Sequence, residues 1–266
     1  MEHPLIASDV RYAEPAECLL DVYRPAGAGA DPLPVVVYCH GGGWRAGTRA
    51  DVVHHCVPYL DCGLAAVNVE WRLADQAKAP AGVIDARRAI EWVHAHCDDY
   101  GWDAGRIVAA GNSAGAHVAA LAAIGTAEAY EPTGFVPDPA VRVAAMCLHA
   151  PATDVPAVFA ANPGCAEWLP EGDDRDAMAG RLSLHPYVRA GLPATYILIG
   201  DADITVLYDR VVAWANEMKA AGNAVTLLTL PGEAHGFKNP AVLTELHPEA
   251  LAEFLAGHDL LPDPQV

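Results

Sequence analysis

The five residues Gly111-Asn112-Ser113-Ala114-Gly115 follow a short apolar run and precede a small-residue apolar stretch. A serine at the tip of such a strand–turn–helix connection sits on strained backbone with its hydroxyl displayed. Its neighbours two positions away must lack side chains if the two chain segments are to pass closely. The turn also sets Ser113 Oγ near a helix N-terminus, where partial positive charge favours a developing oxyanion. Such features serve nucleophilic attack on an acyl carbon. A second glycine-rich stretch, His40-Gly41-Gly42-Gly43-Trp44, directly follows the apolar run 35–39. Three consecutive glycines cost backbone entropy and make sense where N–H groups must approach a ligand. The N–H groups of Gly42 and Gly43, with that of Ala114, are assigned to an oxyanion hole; Gly41 is the alternative to one of the two glycines. His40 is read as bracing this loop through hydrogen bonds. Trp44 is read as a wall of the acyl pocket, and Asn112 as a second substrate contact.

A serine hydroxyl is a poor nucleophile until a base takes its proton, and the order Ser, Asp or Glu, His suits this kind of turn. Downstream, the apolar run 194–199 ends at Gly200-Asp201-Ala202-Asp203, and the run 225–230 leads into Pro231-Gly232-Glu233-Ala234-His235-Gly236-Phe237. Both lie just past strand C-termini, where open α/β sheets carry their sites. His235 is therefore the expected general base. Asp203 is the preferred orienting carboxylate because it lies further along its loop, with Asp201 as the alternative. Of the other histidines, His149 and His185 are placed less well, and His54, His55, His94 and His96 fall on predicted helices. No group of His, Cys, Asp and Glu has zinc-ligand spacing, so neither metal nor cofactor is expected.

These residues need a scaffold that brings several strand ends together. Six apolar runs, 35–39, 64–69, 106–110, 143–148, 194–199 and 225–230, are bounded by turn residues, as strands buried on both faces would be. Helical patterns fall between them. Residues 81–96 carry Val83, Ala86, Ile90 and Val93 on one stripe. Residues 114–124 are apolar nearly all round, 209–221 end at the cap residue Gly222, and 247–257 form the expected last helix. Residues 9–12 and 18–23 read as an antiparallel pair at one edge. The alternation predicts an α/β fold: a mostly parallel, doubly wound sheet of about eight strands with helices on both faces. One domain spanning 1–266 is expected, with 151–192 as a loop or small lid insertion near the site. Residues 261–266, with two prolines, are expected to fray.

The formal charge of −18, from 34 acidic against 16 basic residues, argues against nucleic acid or an anionic membrane as partner. It reads as solubility, with steering of a cationic substrate as the alternative. The N-terminal residues show no basic segment followed by an apolar one, and no apolar run has transmembrane length. The seven cysteines are scattered without a CxxC pair and read as buried thiols of a cytoplasmic protein.

Together these motifs make the chain resemble the bacterial feruloyl-esterase-like, carboxylesterase branch of the α/β-hydrolases. The resemblance rests on Leu20-Asp21-Val22-Tyr23-Arg24-Pro25, His40-Gly41-Gly42-Gly43-Trp44, Trp71-Arg72-Leu73, Pro80 through Asp85, and Gly111-Asn112-Ser113-Ala114-Gly115-Ala116-His117. Gly200 through Asp203 and His235-Gly236-Phe237 complete it. It implies an α/β-hydrolase fold with a small or absent cap, a triad of Ser113, Asp203 and His235, and an oxyanion hole of Gly42, Gly43 and Ala114. The implied activity is hydrolysis of short-chain or aryl esters, feruloyl and acetylated-sugar esters among them, through an acyl-enzyme. The partner is then a small-molecule ester, and a homodimer is allowed. Relatives read Tyr-Arg-Leu-Ala-Pro where this chain has Trp71-Arg72-Leu73-Ala74-Asp75. The Ser-Ala-Gly-x-His form ending at His117 also resembles the kynurenine formamidases, which makes arylformamide hydrolysis the alternative. The third reading is a catalytically dead binding module.

Overall fold

A computed structural model describes residues 3–237 and 242–262. Eight strands form one sheet in the order β1-β2-β4-β3-β5-β6-β7-β8: β1 (Leu5–Arg11), β2 (Leu19–Tyr23), β3 (Leu33–Cys39), β4 (Ala65–Val69), β5 (Trp102–Asn112), β6 (Ala145–His149), β7 (Ala194–Gly200) and β8 (Val225–Leu230). β2 runs antiparallel to both β1 and β4, and every other pairing is parallel. Every residue of β3 and β4 is buried, the pattern expected of parallel strands covered on both faces.

Alternate residues of β3 serve opposite cores. Val35, Val37 and Cys39 join one with the helices α2 (Ala81–Ala95), α4 (Ala114–Ile124) and α7 (Tyr208–Ala220), whereas Val36 and Tyr38 join another with α1 (Val53–Asp61) and α8 (His247–Gly257). α3 (Cys97–Tyr100) is a single turn ending at Gly101 in the left-handed region. α1 and α8 cover one face and α2, α4 and α7 the other, and because β3 to β8 pair in parallel their C-terminal ends lie along one edge.

Each of the six predicted buried runs overlaps an observed strand. Prediction and structure differ at β5, which begins at Trp102, and at β1, which begins at Leu5 rather than at residue 9. The β5 extension carries Asp103 and the exposed Ala104 and Gly105, and Leu5 and Ile6 of β1 are apolar yet exposed, so neither shows the pattern of a buried strand. Residues 151–192 are not a plain loop. They carry α5 (Val155–Ala161), a 3-10 turn (Pro163–Trp168), α6 (Arg175–Arg181) and a second short turn (His185–Tyr187). Asp154 caps α5, its side chain accepting from the Ala157 N–H at 3.0 Å. The fraying expected of 261–266 lies, for 263–266, outside the described residues.

Candidate active site

β5 ends in a turn that only this sequence pattern permits. Ser113 has φ 54° and ψ −122°, a left-handed strained backbone that L-residues avoid. A Cβ on Gly115 would overlap the carbonyl oxygens of Cys39 and His40, and one on Gly111 would overlap the Cys39 carbonyl. The turn is pinned further by the Ser113 N–H, which donates to the His149 carbonyl at the end of β6 (2.8 Å).

His235 bridges Ser113 and Asp203. Its Nε2 lies 2.9 Å from Ser113 Oγ and its Nδ1 lies 2.7 Å from Asp203 Oδ2. The other Asp203 oxygen accepts from the N–H groups of Thr205 (2.8 Å) and Val206 (3.1 Å). Burial alone would raise the Asp203 pKa. The His235 contact and these two N–H donors outweigh burial and hold the carboxyl below its ordinary value, so it is ionised. Asp201 is exposed, and its Oδ1 accepts from the Gly232 N–H at 2.7 Å. It ties the β8 turn down instead of facing His235. With Asp201 N–H on the Leu230 carbonyl (3.1 Å) and Ala202 N–H on the Glu233 carbonyl (3.0 Å), the loops after β7 and β8 are clasped together.

The glycine loop after β3 lies alongside. The Gly41 N–H donates to Asn112 Oδ1 at 3.0 Å, so Gly41 has no free donor for a ligand. The N–H groups of Gly42, Gly43 and Ala114 have no acceptor among the described residues. Gly42 needs to be glycine: its φ is 126°, and a Cβ there would overlap the Ala46 carbonyl. His40 is fully buried, with Nδ1 2.8 Å from the Gly41 carbonyl oxygen, Nε2 3.4 Å from Glu70 and its ring stacked on Trp71. It supports the loop from below. Arg72, in the departing Trp71–Asp75 stretch, forks onto buried Asp85 through two 2.7 Å hydrogen bonds, which anchors that loop to α2.

One substrate-contact expectation is corrected. Trp44 is 1% exposed; its left-handed backbone (φ 60°) turns the indole inward, where it stacks on Trp168 at 4.8 Å and donates to His117 Nδ1 at 3.1 Å. It joins the core to residues 163–168 and does not border the cavity beside Ser113. Asn112 borders the cavity beside Ser113, and its side-chain oxygen also accepts from the Gly41 N–H. His117 is equally committed: its Nε2 lies 2.6 Å from the Leu182 carbonyl oxygen, and burial holds it neutral, with a pKa lowered to about 4.

Sequence reasoning set aside His54, His55 and His149, yet all three line the cavity that contains Ser113 and His235. For His149 the signal was present, since it terminates a predicted buried strand just as Gly200 does before Asp203. Among the described residues no three of His, Cys, Asp and Glu are placed to hold a metal ion.

The sheet, the strained serine turn and the Asp203–His235–Ser113 chain define the class: an α/β-hydrolase. The BD-FAE family model matches residues 20–218, and the chain belongs to that family. It is 31% identical over 236 residues to the carboxylic ester hydrolase LipN of Mycobacterium tuberculosis, covering 82% of this chain and 60% of LipN. It is 32% identical over 243 residues to the carboxylesterase NlhH of the same organism, covering 85% of this chain and 73% of NlhH. The chain thus spans about 60% of the length of LipN. Esterase 2 of Thermogutta terrifontis, solved phosphoramylated by tabun, superposes with TM-score 0.78 at 28% identity, covering 99% of this chain and 96% of that one. The same esterase has been solved with propionate bound. These relatives are esterases, and none supports the formamidase or inactive-module readings.

Proposed function

We propose that this chain is a serine carboxylesterase acting through an acyl-enzyme, with Ser113 as nucleophile, His235 as general base and Asp203 as its orienting carboxylate. The observation that carries the reading is the unbroken hydrogen-bonded chain from buried Asp203 through His235 to Ser113. Asp203 accepts from Nδ1–H, which leaves Nε2 as the lone-pair nitrogen facing the serine. His235 takes the Ser113 proton as Oγ attacks the ester carbon. The N–H groups of Gly42, Gly43 and Ala114 receive the oxyanion, and the proton passes to the departing alkoxide. Water then repeats the sequence on the acyl-enzyme.

Short acyl groups are the expected substrates. The propionate and butyrate complexes of the Thermogutta esterase support this reading. Residues 151–192 act as a small lid within a single domain: Cys165 packs against Gly43, and Trp168 stacks on Trp44. No helix among the described residues is long and apolar enough to cross a membrane. All seven cysteines are free, as suits a reducing, cytoplasmic compartment. Ser113→Ala should lower kcat on p-nitrophenyl acetate by roughly 10⁴-fold or more and abolish labelling by a fluorophosphonate. A variant that still labels and turns over would exclude Ser113 as the nucleophile.

A further inference from the structure

The cavity that adjoins Ser113 has walls that hydrolysis itself does not require. It holds about 140 Å³, and Ser113, His235, Phe237, His54, His55 and His149 border it. No glycine of the 41–43 loop does, so it lies on the base's side of the nucleophile. His235 has to hand its proton to the leaving oxygen, so the alcohol half of the ester departs on the His235 side, where this cavity opens.

We propose that this cavity is the leaving-group subsite and that His55, backed by His54 and His149, selects a small uncharged alcohol bearing a second hydroxyl. The proposal rests on the serine esterase reading. Three observations carry it. No Lys, Arg, Asp or Glu borders the cavity, so a charged alcohol would find no counter-ion. His55 is half-buried and has no hydrogen-bond partner among the described residues, while its ring is held by a stack on Tyr38 (5.6 Å, 11°). His149 is buried with both ring nitrogens unpartnered among the described residues.

A purely apolar alcohol would fill this space and leave polar rings unpaired. Burial, with His54 and His247 nearby, lowers the His55 pKa to about 3, so the ring is neutral and offers one donor and one acceptor. A hydroxyl offers the same pair, and a carboxylate only accepts. Phe237 supplies an apolar wall for the carbons. At about 140 Å³ the cavity is on the scale of a short diol and not of a long alkyl chain.

The test compares 2-hydroxyethyl acetate with propyl acetate, which share an acyl group and a heavy-atom count. Each kcat/KM is divided by the ester's own hydroxide hydrolysis rate. One hydrogen bond between neutral groups predicts a preference of about fivefold for the hydroxy ester. In His55→Phe, which retains an aromatic ring against Tyr38, the ratio should collapse toward one. In His55→Gln, which restores a donor and an acceptor, it should recover. A wild-type ratio of one, or a ratio retained in His55→Phe, overturns the subsite while acetyl-enzyme turnover on p-nitrophenyl acetate stays measurable. Absence of any acetyl-enzyme would overturn the subsite and the esterase reading together.

Discussion

Two aspartates, Asp201 and Asp203, sit two positions apart at the end of β7, and their surroundings give them different work. Asp203 is 3% exposed and holds His235 at 2.7 Å, whereas Asp201 is exposed and holds a backbone N–H of the next turn. Replacing Asp203 by Asn keeps the shape but presents a donor or a weaker acceptor to Nδ1, which favours the wrong tautomer of the base. Asp203→Asn should therefore cost roughly 10⁴ in kcat, as such a change does in serine proteases. Asp201→Asn should stay within about tenfold, because it weakens one exposed contact to Gly232. Steady-state kinetics of both variants on p-nitrophenyl acetate would decide it, and equal losses would refute the division of roles. This distinction was only half legible in the sequence. Position past a strand end nominated both carboxylates, but which one is buried depends on how the loops after β7 and β8 clasp, and that is a tertiary fact.

The elements that bear the site are held to one another by side chains whose types looked like substrate contacts. Asn112 at the end of β5 receives the Gly41 N–H, and so fixes the loop after β3 against the nucleophile turn. Trp44, in that same loop, is clamped between Trp168 and His117, which joins it to residues 163–168 and to α4. The strand ends, the glycines and the helix after Ser113 were legible because backbone geometry demands particular residue types there. The direction of Trp44 was not, since an aromatic residue beside a glycine run suits a pocket wall and a core equally. Asn112→Leu preserves volume and strands the Gly41 N–H. With the neighbouring glycines no longer fixed, kcat should fall about tenfold to a hundredfold with a smaller change in KM, because the oxyanion donors proposed there act in the transition state. Measuring both constants checks this; an unchanged kcat would mean that the loop holds its shape without Asn112.

At the scale of the whole molecule, the sheet buries histidines on both faces, and their charge state couples the fold to pH. His117 lies between α4 and the 151–192 segment. His149 and His247 meet on the other face at 4.3 Å between ring centroids, with His55 beyond at 5.8 Å from His149. Single-sequence patterning could place each histidine on an element but could not bring four strand and helix positions to common neighbourhoods. Burial lowers the pKa of His117 and His247 to about 4 and that of His55 to about 3, with His149 lowered well below its ordinary value. In the unfolded chain each titrates near ~6.5. Between these values the unfolded state binds protons that the folded state refuses. Stability is therefore fully present above about pH 6.5 and is lost as pH falls toward about 4, by about 1.4 kcal/mol per pH unit for each such group. Asp203 and Glu70, both held below their ordinary values, add their own loss only at lower pH, as it falls through the carboxylate range. The urea midpoint should thus drop steeply between pH 6.5 and 4.5, before carboxylate protonation dominates. His247→Phe removes one of the titrating rings and should make that drop shallower by about one proton's worth of slope. If the midpoint stayed level from pH 7 to 5, the buried imidazoles would have to be charged in the fold, and the neutral histidine walls argued for the cavity beside Ser113 would go with them.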